Sequence, residues 1–282
     1  MTLLYPSKFE SLDTTLSYTF SLHNMEAQFE QGMRVPLSIG VGSDYAHDHL
    51  GYGIAPRGPG SIRIRQTIVE TTEALVEAKL HEARAECLRI GKGWLYRTNQ
   101  DATSHRCLAR LNSMPSYQRG GYQSLHMPLI FDFTQLSDWQ SASATSSSQL
   151  IDSPNESVSI TVSGNLPVYD VTFRLRNTGT TRATSPIVFN TTTGQRLCFL
   201  RSMNVADHEL YYATASRLAR FSDNNGASYQ NDYSNFVGTD FQLNPGANVL
   251  KVCCGRPHIL PWLNTIGDSD FTLEWSYNER YT

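Results

Sequence analysis

The residues best suited to chemistry form a histidine-rich segment and an acidic turn. His47, Asp48 and His49 follow Asp44, and two histidines two residues apart on a strand face the same way and can share a Zn²⁺. The segment is rich in glycine, and no third ligand stands at a characteristic spacing. The sequence therefore favours a polar loop, with a metal site as the alternative.

The acidic turn contains Asp268 and Asp270, followed four residues later by Glu274. Paired carboxylates cleave glycosidic bonds in many hydrolases, but acidic pairs in a turn before a strand more often face solvent. The chain has no GxSxG, HExxH or P-loop sequence, which are the local signatures of several enzyme classes. We therefore expect no catalytic residue, no metal and no cofactor, and we interpret the protein as a non-enzyme.

Tyrosines in the second half offer a different kind of site. Tyr211, Tyr212, Tyr229 and Tyr233 surround a polar segment, and sugar-binding sandwiches use aromatic platforms beside Asn and Asp. In the alternative interpretation, alternate members lie in the core and the others cover a loop. The sequence favours this second interpretation and keeps glycan binding as a hypothesis.

Charge and hydropathy limit the classes of partner. The 282 residues have a formal net charge of −3, so no overall basic field attracts nucleic acid or acidic lipid. No apolar run approaches the roughly 20 residues that span a bilayer, and no secretory signal is apparent at the start. We expect synthesis in a cytosol, with reduced cysteines in the core: Cys87, Cys107, Cys198, Cys253 and Cys254.

Residues 61–98 contain the clearest periodicity in the chain. Ile62, Ile64 and Ile68 alternate with polar residues, which predicts a half-buried strand. A helix follows, with Thr71 as its N-cap and Gly91 at its end. Its predicted core stripe has helical spacing: Val76, Leu80, Ala83, Cys87 and Ile90. The next strand begins at Trp94.

A composition change divides the chain. Residues 141–148 contain only Ser, Thr and Ala, which predicts a linker because these side chains bury little apolar surface. The predicted organisation is a first domain at 1–139, a linker at 140–148 and a second domain at 149–282. Short alternating segments separated by Gly and Asn turns make the second domain an all-β sandwich. The Gly- and Pro-rich segment 32–60 is interpreted as a partner-binding loop.

The second half resembles the C-terminal galectin-like domain of siphophage distal tail proteins. The resemblance rests on four segments in order: Gly164-Asn165-Leu166-Pro167, Phe173 to Asn177 with Gly179, Asn190 to Gly194, and Phe241 to Asn248. Gly and Asn supply positive φ in such turns, and Pro fixes them. The strand, helix and Gly-x-Gly-Trp strand of the first half, with Asp138-Trp139 before the linker, resemble the ring-forming domain of the same family.

The resemblance implies an α+β N-terminal ring-forming domain, an antiparallel sheet or sandwich with one long amphipathic helix, plus the all-β galectin-like sandwich. It also implies a virion protein, made in the bacterial cytoplasm, of which six copies form a ring at the tip of a non-contractile tail. The implied partners are further copies of itself, the tail tube protein, the tail hub and receptor-binding or fibre proteins. Neither a membrane nor a specific nucleic acid is among them.

Overall fold

A computed structural model describes residues 5–20, 26–30, 37–39, 46–48, 60–98, 102–113, 115–117, 125–152, 156–205, 208–214, 216–238, 241–254 and 270–281. The chain divides into two compact units, Met1–Ala142 and Ser143–Thr282. Each unit has its own buried core, and each is described separately below.

The first unit combines β-strands with one helix among its described residues. Its strands are β1 (Tyr5–Ser11), β2 (Ser17–Thr19), β3 (Glu26–Glu30), β4 (Leu37–Ile39), β5 (Ala46–Asp48), β6 (Gly60–Val69), β7 (Lys92–Thr98), β8 (Ser104–Leu111), β9 (Ser116–Tyr117), β10 (His126–Gln135) and β11 (Trp139–Ser141), and its helix is α1 (Glu73–Ile90).

Most of these strands form one antiparallel sheet, in the order β2-β1-β7-β8-β10-β6-β3. Strand β6 alternates between buried and exposed residues, and the predicted Ile62, Ile64 and Ile68 all lie on the buried side. Phe9 packs edge-on against Phe133, with 4.9 Å between ring centroids. The side of β6 that was predicted to be buried therefore faces a core that contains aromatic rings.

Helix α1 buries the predicted stripe from Val76 to Ile90 without exception. Its N-cap is Thr72, however, and the predicted cap Thr71 is wrong by one residue. The Thr72 side chain accepts a hydrogen bond from the Leu75 amide at 3.3 Å, as a capping hydroxyl does. At the other end Gly91 has φ 58°, a left-handed conformation that favours glycine.

Gly93 marks a close approach between strands β7 and β1. A Cβ placed there would lie 2.0 Å from the Glu10 carbonyl oxygen, so no other residue fits without moving the backbone. The predicted Gly-x-Gly pair before Trp94 thus ends the helix at Gly91 and lets the next strand pass close to β1 at Gly93.

The second unit is built from β-strands and one short 3₁₀ turn among its described residues. The strands are β12 (Thr145–Ile151), β13 (Val158–Val162), β14 (Val171–Asn177), β15 (Ala183–Thr184), β16 (Pro186–Asn190), β17 (Gln195–Phe199), β18 (Ser202–Met203), β19 (Glu209–Ala213), β20 (Leu218–Ser222), β21 (Gln230–Asn231), β22 (Phe236–Gly238), β23 (Gly246–Cys254), β24 (Phe271–Tyr277) and β25 (Arg280–Tyr281), and the 3₁₀ turn is Tyr233–Asn235.

Two antiparallel sheets of this unit share one core. One has the order β12-β24-β14-β19-β20-β21, and the other has the order β13-β23-β16-β17-β22. Buried residues of both sheets belong to a single hydrophobic cluster, and the Tyr277 hydroxyl on the first sheet donates to the Thr161 carbonyl on the second at 3.1 Å. The predicted mixture of antiparallel sheets and one long helix is confirmed, and the second half is a two-layer β structure.

The serine-rich segment that was predicted as the linker is largely a strand. Residues 145–148 belong to β12, which pairs with β24 along its whole length, from Thr145 opposite Tyr277 to Ile151 opposite Phe271. The division of the chain at Ala142 and Ser143 lies within the predicted linker range 140–148. Hydroxyl side chains do not prevent strand formation here, because the main chain of β24 supplies the pairing.

All five cysteines carry free thiols. Burial raises the pKa of the Cys87 and Cys254 thiols to about 12 and that of Cys253 to about 11. These groups are therefore protonated near neutral pH. Four of the five lie in the core as predicted, and Cys254 is partly buried and packs against it.

Candidate interaction surfaces

The outer face of the six-stranded sheet in the second unit contains a groove of about 560 Å³. Its floor has small polar side chains on adjacent strands, because Ser146, Ser276 and Thr172 lie opposite one another on β12, β24 and β14. Larger side chains of the next cross-strand row, Arg174 and Tyr211 among them, form one wall. The groove thus results from a row of small residues beside a row of large ones.

The wall of this groove combines a carboxylate, a guanidinium and an aromatic ring. Glu274 lies opposite Arg174, and Arg174 lies opposite Tyr211, on three neighbouring strands. The Arg174 guanidinium carbon is 6.0 Å from the centre of the Tyr211 ring, at the limit of a cation–π contact. Hydrogen-bond donors, acceptors and an apolar ring face therefore lie side by side.

A buried carboxylate fixes the aromatic end of the wall. Glu209 is 2% exposed, and it accepts hydrogen bonds from Arg176 at 2.7 Å and from the Tyr229 hydroxyl. Burial, together with Glu209, raises the pKa of Tyr229 to about 12, so this tyrosine remains a neutral donor. The Tyr229 ring packs against Tyr211 with 5.7 Å between centroids, which restricts the motion of Tyr211.

The structure brings together only part of the predicted tyrosine set. Tyr211 lines the groove and Tyr229 supports it. Tyr212 is 4% exposed and stacks on Phe236 in the core at 4.3 Å. Tyr233 is 55% exposed and lies beside Phe236, with 6.4 Å between the two ring centroids. Because neighbours on a strand face opposite sides, Tyr211 and Tyr212 do not share a platform.

The histidine and acidic segments, which were named from the sequence as alternatives, lie mostly outside the described residues. His47 lies in strand β5, but its side chain, like Asp44 and His49, is outside the described residues. Asp268 is also outside them, and the Asp270 carbonyl accepts main-chain hydrogen bonds from Thr178 and Gly179. In the described part of the chain no three His, Cys, Asp or Glu residues are grouped as metal ligands. No helix in that part is long and apolar enough to cross a membrane.

The outer face of β1, β7 and β8 in the first unit carries a second cluster, which sequence analysis did not identify. Lys8 lies 4.4 Å from the centre of the Tyr96 ring, and Arg106 lies 4.5 Å from that of Trp94. Glu10 accepts hydrogen bonds from Lys8 at 2.9 Å and from the Tyr96 hydroxyl at 2.8 Å. These hydrogen bonds and ring contacts fix the side chains, and we call this surface the cationic face.

Two more cations belong to the cationic face. Lys92 on β7 and Arg110 on β8 are directly opposite each other and exposed. The face thus has four basic residues, Lys8, Lys92, Arg106 and Arg110, and one acidic residue, Glu10, in a chain whose net charge is −3. The alternation of β7 and β8 in the sequence could have revealed it.

A groove of about 550 Å³ lies between α1 and the strands β2 and β6. Three carboxylates, Glu70, Glu82 and Glu86, line it with a single lysine, Lys79. Lys79 is bound to Glu82 at 2.9 Å, so the remaining charge is negative. We call this surface the acidic groove.

Comparison with known proteins gives a likeness of fold. No family model matches the chain, and no curated protein matches it. The crystal structure of SPP1 Dit (gp 19.1), described as a paradigm of the hub adsorption apparatus in phages that infect Gram-positive bacteria, aligns with a TM-score of 0.56 and 11% identity over 99% of both chains. A chain of the phage p2 baseplate in its activated conformation with Sr aligns with a TM-score of 0.46 and 9% identity, over 96% of this chain and 98% of that one. The resemblance to distal tail proteins is thus confirmed for the fold, on the SPP1 Dit alignment.

Proposed function

We propose that the protein is a structural component of a phage tail tip, in which six copies form a ring at the distal end of a non-contractile tail. The observation that supports this most directly is the fold shared with SPP1 Dit over 99% of both chains. A match that spans both units supports the same overall role better than a match to one unit would. In this proposal the protein is not an enzyme.

The two units have separate roles in this proposal. The first is the ring-forming domain, and the second is the galectin-like domain. The ring joins the tail tube protein on one side to the hub, and to receptor-binding or fibre proteins, on the other. The protein is made in the bacterial cytoplasm and becomes part of the virion.

Light scattering on the purified protein tests the oligomeric part of the proposal. We expect a particle of six protomer masses at micromolar concentration, because a closed ring uses all of its contact surfaces. A single protomer mass across the micromolar range would contradict the proposal.

The groove on the six-stranded sheet favours a second candidate function, glycan binding by the second unit. Sugar hydroxyls both donate and accept hydrogen bonds, so Glu274 and Arg174 are suitable partners, and the Tyr211 ring offers a stacking face. This site uses only Tyr211 from the four tyrosines named from the sequence.

A glycan array and titration calorimetry test this candidate. We expect Tyr211→Ala to abolish any binding found on the array, because it removes the aromatic wall. Tyr233→Ala is the matched control and should leave binding unchanged, since Tyr233 lies outside the groove. An array without signal, or equal effects of the two changes, would exclude the groove as a sugar site.

A further inference from the structure

The cationic face contains two like charges placed side by side. Lys92 and Arg110 are directly opposite each other on β7 and β8, and both are exposed. Like charges directly opposite on neighbouring strands destabilise a sheet. Neither forms an ion pair with any other described residue. The protomer therefore maintains an unfavourable pair that carboxylates from another molecule would neutralise.

The same face has the residue types that dominate protein interfaces. Trp94 and Arg106 are half-buried and pack on each other, whereas Tyr96 is only 9% exposed and supports the face through its contacts with Glu10 and Lys8. Trp, Tyr and Arg are the commonest interface hot spots. Because these side chains are already fixed, little conformational entropy is lost when a partner binds. The cationic face is thus organised for contact.

The charge of this face determines the kind of contact it can make. Two copies that met through their cationic faces would bring four basic residues against four, with only Glu10 on each side to compensate. Such juxtaposition of like charges costs several kcal/mol. A symmetric dimer through this face is therefore disfavoured, and a contact with a different, negatively charged surface is favoured.

The acidic groove is a surface of that kind within the same unit. Its three carboxylates, Glu70, Glu82 and Glu86, exceed its one lysine. Its volume of about 550 Å³ can accommodate long basic side chains. The first unit therefore carries two different surfaces of opposite charge, and a heterologous contact can join them.

We propose that the cationic face of one copy binds the acidic groove of the next copy, so that Lys92 and Arg110 meet Glu70 and Glu86, the two carboxylates of the groove that are not paired with Lys79. This inference rests on the proposed ring function and identifies the surfaces by which the ring closes. Repetition of one heterologous contact around a rotation axis produces a closed ring.

Charge reversal tests the contact in the full-length protein. Lys92→Glu with Arg110→Glu should weaken self-association about tenfold or more in sedimentation velocity. Glu70→Lys with Glu86→Lys should have a similar effect, and it leaves the Lys79–Glu82 pair of the protomer intact. The first pair keeps like charges opposite each other, so the stability of the protomer should not change. The combination of all four changes should restore association, because the two surfaces again carry opposite charges, each reversed from that of the wild type.

A matched control reverses two exposed cations of the second unit, Arg182→Glu with Lys251→Glu. This variant has the same net charge as the first one, and its association should equal that of the wild type. Circular dichroism checks that each variant is folded. If the first reversal unfolds the protein, Lys92→Gln with Arg110→Gln replaces it, with the same expected direction.

The outcomes separate this inference from the proposed function. A wild-type ring that neither reversal weakens, or a combination that fails to restore association, would overturn the assigned contact and leave the ring standing. A wild-type protein that is monomeric at every concentration would overturn both. Association that weakens with added salt in the wild type, as screened charges require, would agree with the contact.

Discussion

Asn177, Asn190 and Asn248 are fully buried polar side chains that hold turns of the second unit. The side-chain NH₂ group of Asn248 donates to the main-chain carbonyls of Asn244 at 2.7 Å and Gly246 at 3.2 Å. The side-chain oxygen of Asn248 accepts a hydrogen bond from the main-chain N–H of Asn244 at 2.9 Å. One side chain thereby replaces the main-chain partners that this turn lacks. Buried polar groups without such partners are costly.

Asn248→Ala should lower the free energy of unfolding by about 2–3 kcal/mol, because it leaves buried turn groups without partners. Asn204→Ala is the matched control at an exposed asparagine, and it should change the free energy by less than about 0.5 kcal/mol. Urea unfolding followed by tryptophan fluorescence measures both. Equal effects would show that the buried hydrogen bonds do not stabilise the turn.

The sequence predicted the types of functional residue better than their grouping in space. The alternating strands of the second half were predicted correctly, but the four tyrosines were grouped by their proximity along the chain. Strand alternation places Tyr212 in the core and Tyr211 on the surface. The partners of Tyr211 in the groove, Arg174 and Glu274, come from strands far away in sequence, so only the sheet order reveals them.

Helix α1 is the element that the sequence predicted most accurately. Every residue of the predicted stripe is buried. The prediction was accurate because a period of 3.6 residues that is repeated over 18 residues is a strong signal in the sequence. The cap was less certain, since Thr71 and Thr72 are adjacent and only the geometry of the chain before the helix decides between them.

Thr72→Ala should therefore destabilise the protein by about 1 kcal/mol, through loss of the hydrogen bond to the Leu75 amide. Thr71→Ala makes the same chemical change one residue earlier, at an exposed position, and should have almost no effect. Thermal unfolding of the two variants compares them directly. A larger effect at Thr71 would contradict the assigned cap.

Strand β12 shows what composition alone does not determine. Its serine-rich residues were interpreted as a linker because they bury little apolar surface. The first four residues of the strand are indeed exposed. The strand exists because β24 pairs with it over seven residues. Long-range pairing of this kind leaves no local trace in a run of serines.

We propose that the two units of the protein are domains that fold separately. A fragment of residues 143–282 should then unfold cooperatively and give a β-type circular dichroism spectrum. A fragment of residues 149–282, which starts at the predicted domain boundary, lacks the first four residues of β12 and should be less stable. Equal stability would show that the serine-rich residues contribute nothing to the sheet.

We propose that the protein assembles copies of itself into a closed ring. Negative-stain electron microscopy of the purified protein at micromolar concentration tests this assembly, because class averages show its symmetry without labels. We predict closed rings with six equal subunits. Separate single particles at every concentration, or open filaments in place of rings, would contradict the claim.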